Sequence, residues 1–190
     1  MALGKQAKTL SDAQATAVLS YLDQGRNAKR NRVMFLLSVD AGLRAKEIGA
    51  LEWSMITDAE GQLSDEIRLQ DKASKGSSGG VVYMSKRLQK ALADLAAERA
   101  LTGFVVKSER GKAMSAQVVT NWFFALYGKL GFDGCSSHSG RRTAITRWAR
   151  KISSVGGSLR DVQKLARHSS LAMTQRYIEV SEDACRRVVG

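Results

Sequence analysis

Two histidines, an arginine and a tyrosine are the residues whose types suit phosphate chemistry. His138 and His168 are the only histidines among 190 residues, and Tyr177 comes nine positions after His168. Histidine can shuttle a proton near neutral pH, arginine can clamp a phosphate, and a tyrosine hydroxyl can act as a nucleophile. His138 and Arg141 are three residues apart, so we expect them to share a helix face. The pattern indicates phosphate chemistry.

Each of these residues also has a structural interpretation. An HxxR pair is often exposed on a solvated helix face, because arginine populates surfaces freely. A single tyrosine near a C-terminus usually packs half-buried against its own subunit. The spacing makes it plausible that Tyr177 lies close to His138 and Arg141 but does not establish it. The residue types alone leave both interpretations open.

The charge of the chain favours a polyanionic partner. The formal net charge is +12, and residues 136–190 hold 11 Lys/Arg against 4 Asp/Glu. Because neutralising phosphates releases counterions, nucleic acid is the expected partner, and a basic surface without any partner is the alternative. Cys135 and Cys185 form no CxxC pair, which disfavours a disulfide scaffold or a zinc site and predicts a reducing, cytoplasmic location. The sequence contains no apolar run of membrane length.

Hydrophobic periodicity predicts an α+β fold, mainly α, in one domain over residues 1–190. A capping box at 11–14 begins the first helix, and Gly42 is expected to end the second. Three short strands of an antiparallel sheet are predicted, with a hairpin loop at 76–80 between the last two. The predicted strands are 53–57, 66–69 and 81–84, and the later helices are 33–39, 45–51, 86–100, 115–130, 139–152, 159–166, 171–178 and a tail helix at 182–189.

Three motifs resemble those of the tyrosine recombinases, the phage integrase family. Residues 41–51 (AGLRAKEIGAL) resemble the family's first box, and residues 138–144 (HSGRRTA) are similar to its second. Residues 165–177 (LARHSSLAMTQRY) resemble the segment that ends in the family's nucleophile. The motifs occur in the family's order with matching gaps, and the resemblance covers about residues 10–180.

This resemblance implies a role for each matching residue. Tyr177 would attack the scissile phosphate and give a 3′-phosphotyrosyl bond with a free 5′-hydroxyl. Arg44 and Arg141 would clamp the non-bridging oxygens, while His138 and His168 would donate hydrogen bonds or assist proton transfer. Fixed positive groups stabilise the charge of the transition state, so we expect neither a metal nor another cofactor.

The family also carries a hairpin lysine that acts as general acid on the leaving 5′-oxygen. Counting back from the strand at 81–84 places it at Lys75, with Lys72 as the alternative. We expect Glu47 to orient a basic neighbour rather than perform chemistry. Three positions depart from the family pattern. Arg142 stands after the second-box arginine, where the family usually has a histidine or a similar residue. Arg167 replaces the usual glycine before the third-box histidine, and Tyr83 replaces a common proline.

The resemblance predicts a site-specific DNA recombinase or integrase. Its partner would be double-stranded DNA. Four protomers would assemble on the DNA, and the protein would be a monomer when no DNA is bound. The expected location is nucleoid-associated, without membrane contact. A type IB topoisomerase and a catalytically inactive DNA-binding regulator of the same fold are the alternatives. The N-terminal DNA-clamping domain of many relatives would be absent, in a compact member or a fragment. The tail at 180–190 would dock on a neighbouring protomer or pack on its own.

Overall fold

The computed structural model describes residues 7–73, 79–98, 100–178 and 186–187. Their contacts divide the chain into unit 1, residues 1–144, and unit 2, residues 145–190. The mainly helical α+β fold is confirmed. The described elements are α1 (Asp12–Asp23), α2 (Ala28–Val39), α3 (Ala45–Ala50), β1 (Glu66–Leu69), β2 (Gly80–Tyr83), α4 (Lys86–Ala96), α5 (Ala116–Lys129), α6 (Ser139–Ile152), α7 (Leu159–Ala166) and α8 (Leu171–Gln175).

Helix α2 is the centre of unit 1. All seven residues from Val33 to Val39 are buried, which is the pattern of a helix covered on every side. Helices α1, α3 and α4 pack against it. Each fully buried apolar side chain of this helix, such as Phe35, stabilises the fold by about 1.5–3 kcal/mol. The helix ends at Val39, and Gly42 follows with a φ of +63°, a left-handed conformation that favours glycine.

Among the described residues the sheet has two strands, so the prediction of a third strand is wrong. Strands β1 and β2 pair antiparallel, with Ile67 opposite Val82. The segment predicted as a strand at 53–57 instead forms a 3-10 turn at Trp53–Met55. Trp53, Met55 and Ile56 are all buried, and two adjacent buried residues break strand alternation. Trp53 and Ile56 are three apart, as a 3-10 turn requires of residues on one side.

Helix starts follow the predicted caps closely. The Ser11 hydroxyl accepts a hydrogen bond from the Gln14 N–H at 3.1 Å, and the Gln14 side chain accepts from the Ser11 N–H at 3.0 Å. Helices α6 and α7 have the predicted bounds. Helix α4 ends at Ala96 and α8 at Gln175, both earlier than predicted.

Unit 2 is small and has a correspondingly small core. Within its described part, residues 145–178 and 186–187, the buried apolar residues are Ile145, Val162 and Ala166, with Trp148 and Tyr177 among the half-buried residues packed on them. Helices α7 and α8 contact each other. The predicted tail helix lies outside the described residues except at positions 186 and 187. In the described part of the chain, no helix is both long and apolar enough to span a membrane.

Candidate active site

Arg44 lies at the start of α3, in residues 40–47, which run from the end of α2 into the first turn of α3 and which we call the arginine loop. Its backbone N–H donates to Glu47 Oε2 at 2.7 Å, and its guanidinium Nη1 donates to Glu47 Oε1 at 2.9 Å. Glu47 is fully buried, whereas the Arg44 side chain is 25% exposed. One buried carboxylate therefore fixes both the backbone and the charged end of Arg44. Glu47 orients a basic neighbour, as the sequence predicted.

Arg141 reaches the same loop from α6. Its Nη1 donates to the carbonyl oxygen of Gly42, which is 99 residues away in sequence and two residues before Arg44. Arg141 is only 4% exposed. A buried guanidinium held by a carbonyl keeps its charge, because arginine is not deprotonated in proteins. The structure thus brings Arg44 and Arg141, two predicted site residues, to one short loop.

Close packing between α6 and α2 sets the position of Arg141. A Cβ added at Gly140 would lie 2.3 Å from Ser38 Oγ and 3.2 Å from the Ser38 carbonyl carbon. Thr143 adds a second anchor, because its hydroxyl accepts from the Leu10 N–H at 2.8 Å. Glycine at position 140 is therefore what allows the first turn of α6 to approach α2.

His138 precedes α6 and is exposed, so it does not share the buried environment of Arg141. Its carbonyl accepts from the Arg142 N–H at 2.9 Å, and its own N–H donates to Ser136 Oγ at 3.3 Å. These backbone contacts fix where the residue lies. His138 lies just before α6 rather than on it, and it is exposed whereas Arg141 is buried, so the structure does not bear out a helix face shared by the two.

Tyr177 and His168 form a contact pair within unit 2. Their ring centroids are 5.3 Å apart with an interplanar angle of 26°, a stacked arrangement. Tyr177 lies just after α8, and its carbonyl accepts from Thr146 Oγ1 at 3.3 Å. The side chain is half-buried. Tyr177 and His168, predicted from one motif, are thus brought together.

His168 is itself held on three sides. It is buried, and its Nδ1 lies 3.0 Å from the hydroxyl of Thr174, which is fully buried. The Gln163 carbonyl accepts from the His168 N–H, and the Gln163 side-chain amide donates to the His168 carbonyl, both at 3.1 Å. We call residues 163–177 the tyrosine segment. The sequence interpretation missed Thr174 and Gln163, because their roles depend on contacts that no motif spacing reveals.

The hairpin lysine cannot be placed. Lys75 lies outside the described residues, and of Lys72 the structure describes only the backbone, in a 3-10 turn at Asp71–Ala73. Asp71 Oδ1 accepts from the Gly79 N–H at 2.9 Å and so links the two described ends of the hairpin. The choice between Lys75 and Lys72 stays a prediction.

Positive charge is distributed unequally between two basic regions. In residues 26–32 of unit 1, three cations contact carboxylates, in the pairs Arg26–Glu109, Lys29–Glu98 and Arg32–Asp23. Residues 145–178 of unit 2 contain seven Lys/Arg and a single acid, Asp161. Hydrogen bonds from the Ser158 backbone and hydroxyl lower the pKa of Asp161. Basic residues therefore outnumber acidic ones by six in residues 145–178.

Over the residues that the structure describes, no three His, Cys, Asp or Glu side chains are grouped in a way that could hold a metal ion.

Solved structures share this fold. The Tn1549 transposon integrase in complex with a circular intermediate DNA is 18% identical, with a TM-score of 0.74 over 98% of this chain and 66% of that one. The XerA recombinase is 20% identical, with a TM-score of 0.73 over 97% and 63%. A lambda integrase dimer bound to a core site is 18% identical, with a TM-score of 0.68 over 95% and 53%.

The fold is therefore that of a tyrosine recombinase catalytic domain. The chain belongs to the phage integrase family, whose model matches residues 8–183. Comparison with curated protein sequences gave no match. The chain spans less than two thirds of the length of each structural neighbour named above.

Proposed function

We propose that this chain is a site-specific DNA recombinase that cleaves and rejoins strands through a 3′-phosphotyrosyl intermediate. Family membership and the recombinase fold support this proposal. The observation that carries it is the meeting of Arg44 and Arg141 at the arginine loop, through Glu47 and Gly42. The structural neighbours are integrases and recombinases, so the topoisomerase alternative is not favoured.

In this proposal the two arginines bind the non-bridging oxygens of the scissile phosphate. Negative charge on these oxygens grows as the nucleophile attacks, so preorganised guanidinium groups stabilise the transition state more than the ground state. Arg44 is preorganised by a buried carboxylate and Arg141 by a backbone carbonyl. Neither contact has to form during the reaction. His138, exposed beside α6, would donate a hydrogen bond to the same phosphate.

The tyrosine segment supplies the nucleophile. The Tyr177 oxygen forms a bond to phosphorus, the bond to the 5′-oxygen breaks, and the phenolic proton passes to a base or to solvent. The leaving 5′-oxygen takes up a proton. His168 assists by proton transfer or by a hydrogen bond, and its contact with Thr174 sets the orientation of its ring. Rejoining is the reverse reaction, so one phosphodiester replaces another without an energy cofactor.

A nicked suicide substrate tests this function directly, because loss of a short 5′ fragment traps the covalent complex. We expect the wild type to form a protein–DNA adduct and Tyr177→Phe to form none. Phenylalanine keeps the ring that stacks on His168, so the variant should remain folded and bind DNA. An adduct with Tyr177→Phe, or none with the wild type on its own target, would contradict the proposal.

The general acid is proposed to be Lys75. A substrate whose leaving 5′-oxygen is replaced by sulfur needs no protonation, because a thiolate is a better leaving group. Cleavage of ordinary DNA should therefore fall at least about 100-fold in Lys75→Ala, while cleavage of the sulfur substrate stays near the wild-type rate. Lys72→Ala is the matched comparison. Rescue by sulfur in Lys72→Ala but not in Lys75→Ala would assign the role to Lys72.

Double-stranded DNA is the proposed partner, bound by four protomers, with a cytoplasmic, nucleoid-associated location. The net charge of +12 supports this partner, and the affinity should fall steeply with salt. The tail at 180–190 is proposed to dock on a neighbouring protomer. Deleting residues 182–190 should then abolish higher-order complexes on DNA while leaving single-protomer binding. Unchanged assembly and recombination would contradict docking.

A further inference from the structure

A second carboxylate anchors the arginine loop at the end opposite Glu47. Asp40, the first residue of the loop, accepts from Arg87 Nε at 2.6 Å and from the Ser85 hydroxyl at 2.6 Å, and Arg87 Nη2 donates to its other oxygen. The Asp40 side chain is only 6% exposed, whereas that of Arg87 is 44% exposed. A nearly buried carboxylate with three donors is a well-ordered group, since bidentate arginine contacts are geometrically specific.

The Asp40 contacts join three parts of unit 1. Asp40 is the C-terminal cap of α2, while Ser85 is the N-terminal cap of α4, where its hydroxyl also accepts from the Leu88 N–H at 3.2 Å. Ser85 follows β2 after a single residue, Met84. The exit strand of the hairpin and the start of α4 are therefore tied to the start of the arginine loop.

Between its two carboxylates the loop holds both arginines of the proposed site. Gly42, whose carbonyl accepts from Arg141, is two residues after Asp40, and Arg44 is two residues further on. A shift of the Asp40 end would move the Gly42 carbonyl and with it the guanidinium of Arg141. Misplacing a catalytic group by about 1 Å can cost about 100-fold in rate.

We propose that Asp40 and Arg87 are positioning residues for the phosphate-binding arginines, a role that rests on the proposed function. The Asp40 carboxylate also raises the pKa of Arg87, first through its hydrogen bond and against the effect of burial. Arg87 therefore stays charged over any pH at which the protein is assayed. Neither residue needs to touch DNA in this role.

Asp40→Asn tests the proposal, with Asp23→Asn as its matched control. Asp23 also makes a two-oxygen contact with one arginine, Arg32, at 2.8 Å for both oxygens. We expect single-turnover cleavage to fall about 10-fold in Asp40→Asn, with DNA affinity within about twofold, and neither to change in Asp23→Asn. Exchange of the exposed partner, Arg87→Gln, should give the same loss if Asp40→Asn folds poorly. Arg87→Lys should recover part of it, since lysine keeps the charge but not the fork.

A neutral methylphosphonate at the scissile position separates positioning from general destabilisation. It lacks the charged oxygen that the arginines neutralise, so the deficit of Asp40→Asn should shrink below about twofold on this substrate. An equal deficit on both substrates, or equal cleavage by Asp40→Asn and Asp23→Asn, would overturn the proposal.

Hydrogen exchange keeps the test independent of cleavage. Asp40→Asn should speed amide exchange in a peptide covering residues 41–44, and Asp23→Asn should not. If the wild type failed to cleave DNA, the proposed function would fall while this measurement still tested the anchoring. Unchanged exchange in Asp40→Asn would overturn the anchoring itself.

Discussion

The arginine loop and the tyrosine segment differ in how many buried residues support them. The arginine loop follows α2, whose residues from Val33 to Val39 are all buried, and it is held by two buried or nearly buried carboxylates, Glu47 and Asp40. The tyrosine segment lies on two short helices, and among the described residues of unit 2 only three apolar side chains are buried. Its contacts are local: Gln163, Thr174 and the stacked rings of His168 and Tyr177.

This difference separates two tasks of the proposed chemistry. Groups that stabilise charge act best when they are fixed before the reaction, which a large core provides. The nucleophile's segment is held instead by local contacts within unit 2. Regions with few buried apolar contacts open at lower free energy. Changes in the arginine loop should therefore lower stability and rate together, and changes in the tyrosine segment should lower mainly the rate.

Arg141→Ala is expected to have the largest effect on the reaction. The cleavage rate should fall about 1,000-fold, because the lost charge acts mainly in the transition state, and DNA affinity should fall less than about 10-fold. Single-turnover cleavage and equilibrium binding at one salt concentration measure the two quantities. Equal losses in rate and affinity would show that Arg141 only binds DNA.

Glu47→Gln should give the largest loss of stability. It removes the buried charge that accepts from the Arg44 backbone and guanidinium, and hydrogen bonds of that kind contribute about 1.5–3 kcal/mol. We expect the free energy of unfolding to fall by about 2–3 kcal/mol in urea titrations, with a clear loss of cleavage. Unchanged stability in Glu47→Gln would contradict the anchoring role of this carboxylate.

Gly140→Ala tests the close approach of α6 to α2. The added Cβ would lie 2.3 Å from Ser38 Oγ, so overpacking should cost about 1–3 kcal/mol. Adding Ser38→Ala should restore only part of this loss, because the Oγ is removed while the Ser38 Cβ remains at 2.9 Å and the backbone carbon at 3.2 Å. Thermal unfolding of Gly140→Ala, Ser38→Ala and the double variant measures the coupling energy between the two positions. A coupling energy of zero would show that the contact between Gly140 and Ser38 is unimportant.

Thr174→Val probes the tyrosine segment with a side chain of the same shape. It removes the hydroxyl at 3.0 Å from His168 Nδ1. We expect the free energy of unfolding to fall by about 1 kcal/mol and the cleavage rate to fall about 10-fold, because the His168 ring is then free to turn. A variant with reduced stability and full activity would contradict the division between the two regions.

The smallest expected effect concerns pH. Because hydrogen bonds from Ser158 lower the pKa of Asp161 in the folded state, its contribution to stability is complete above the ordinary value of 3.8. The contribution is lost as the pH falls through the lower folded value. Wild type should therefore exceed Asp161→Asn in unfolding midpoint at pH 5, and the gap should narrow below pH 3.8. A constant gap would contradict the cause assigned to the shift.

The sequence predicted the secondary-structure elements better than it predicted the tertiary contacts between residues. The capping box at Ser11 predicted the correct helix start, because caps are local. The prediction of a strand at 53–57 is wrong. Its β-branched and aromatic composition suits a strand but does not reveal that the adjacent residues Met55 and Ile56 are both buried. Motif order identified Arg44, Arg141, His168 and Tyr177, which the structure brings together in two pairs.

The partners of these residues were much harder to predict. Glu47 could be assigned from its helical spacing to Arg44. Asp40 and Arg87 are 47 residues apart, and Gly42 and Arg141 are 99 apart, so only the tertiary fold joins them. Thr174 lies six residues from His168 and Gln163 five, spacings that belong to no regular helix face. Catalytic residue types are visible in motifs, whereas the contacts that position them are not.

In the proposed reaction Tyr177 forms the covalent bond to DNA. The most direct measurement is to trap the wild-type adduct on a nicked suicide substrate, digest the protein and DNA, and map the modified residue by mass spectrometry. We predict a nucleotide attached through its 3′-phosphate to the peptide that contains Tyr177. Attachment to another residue, or through a 5′-phosphate, would contradict the mechanism.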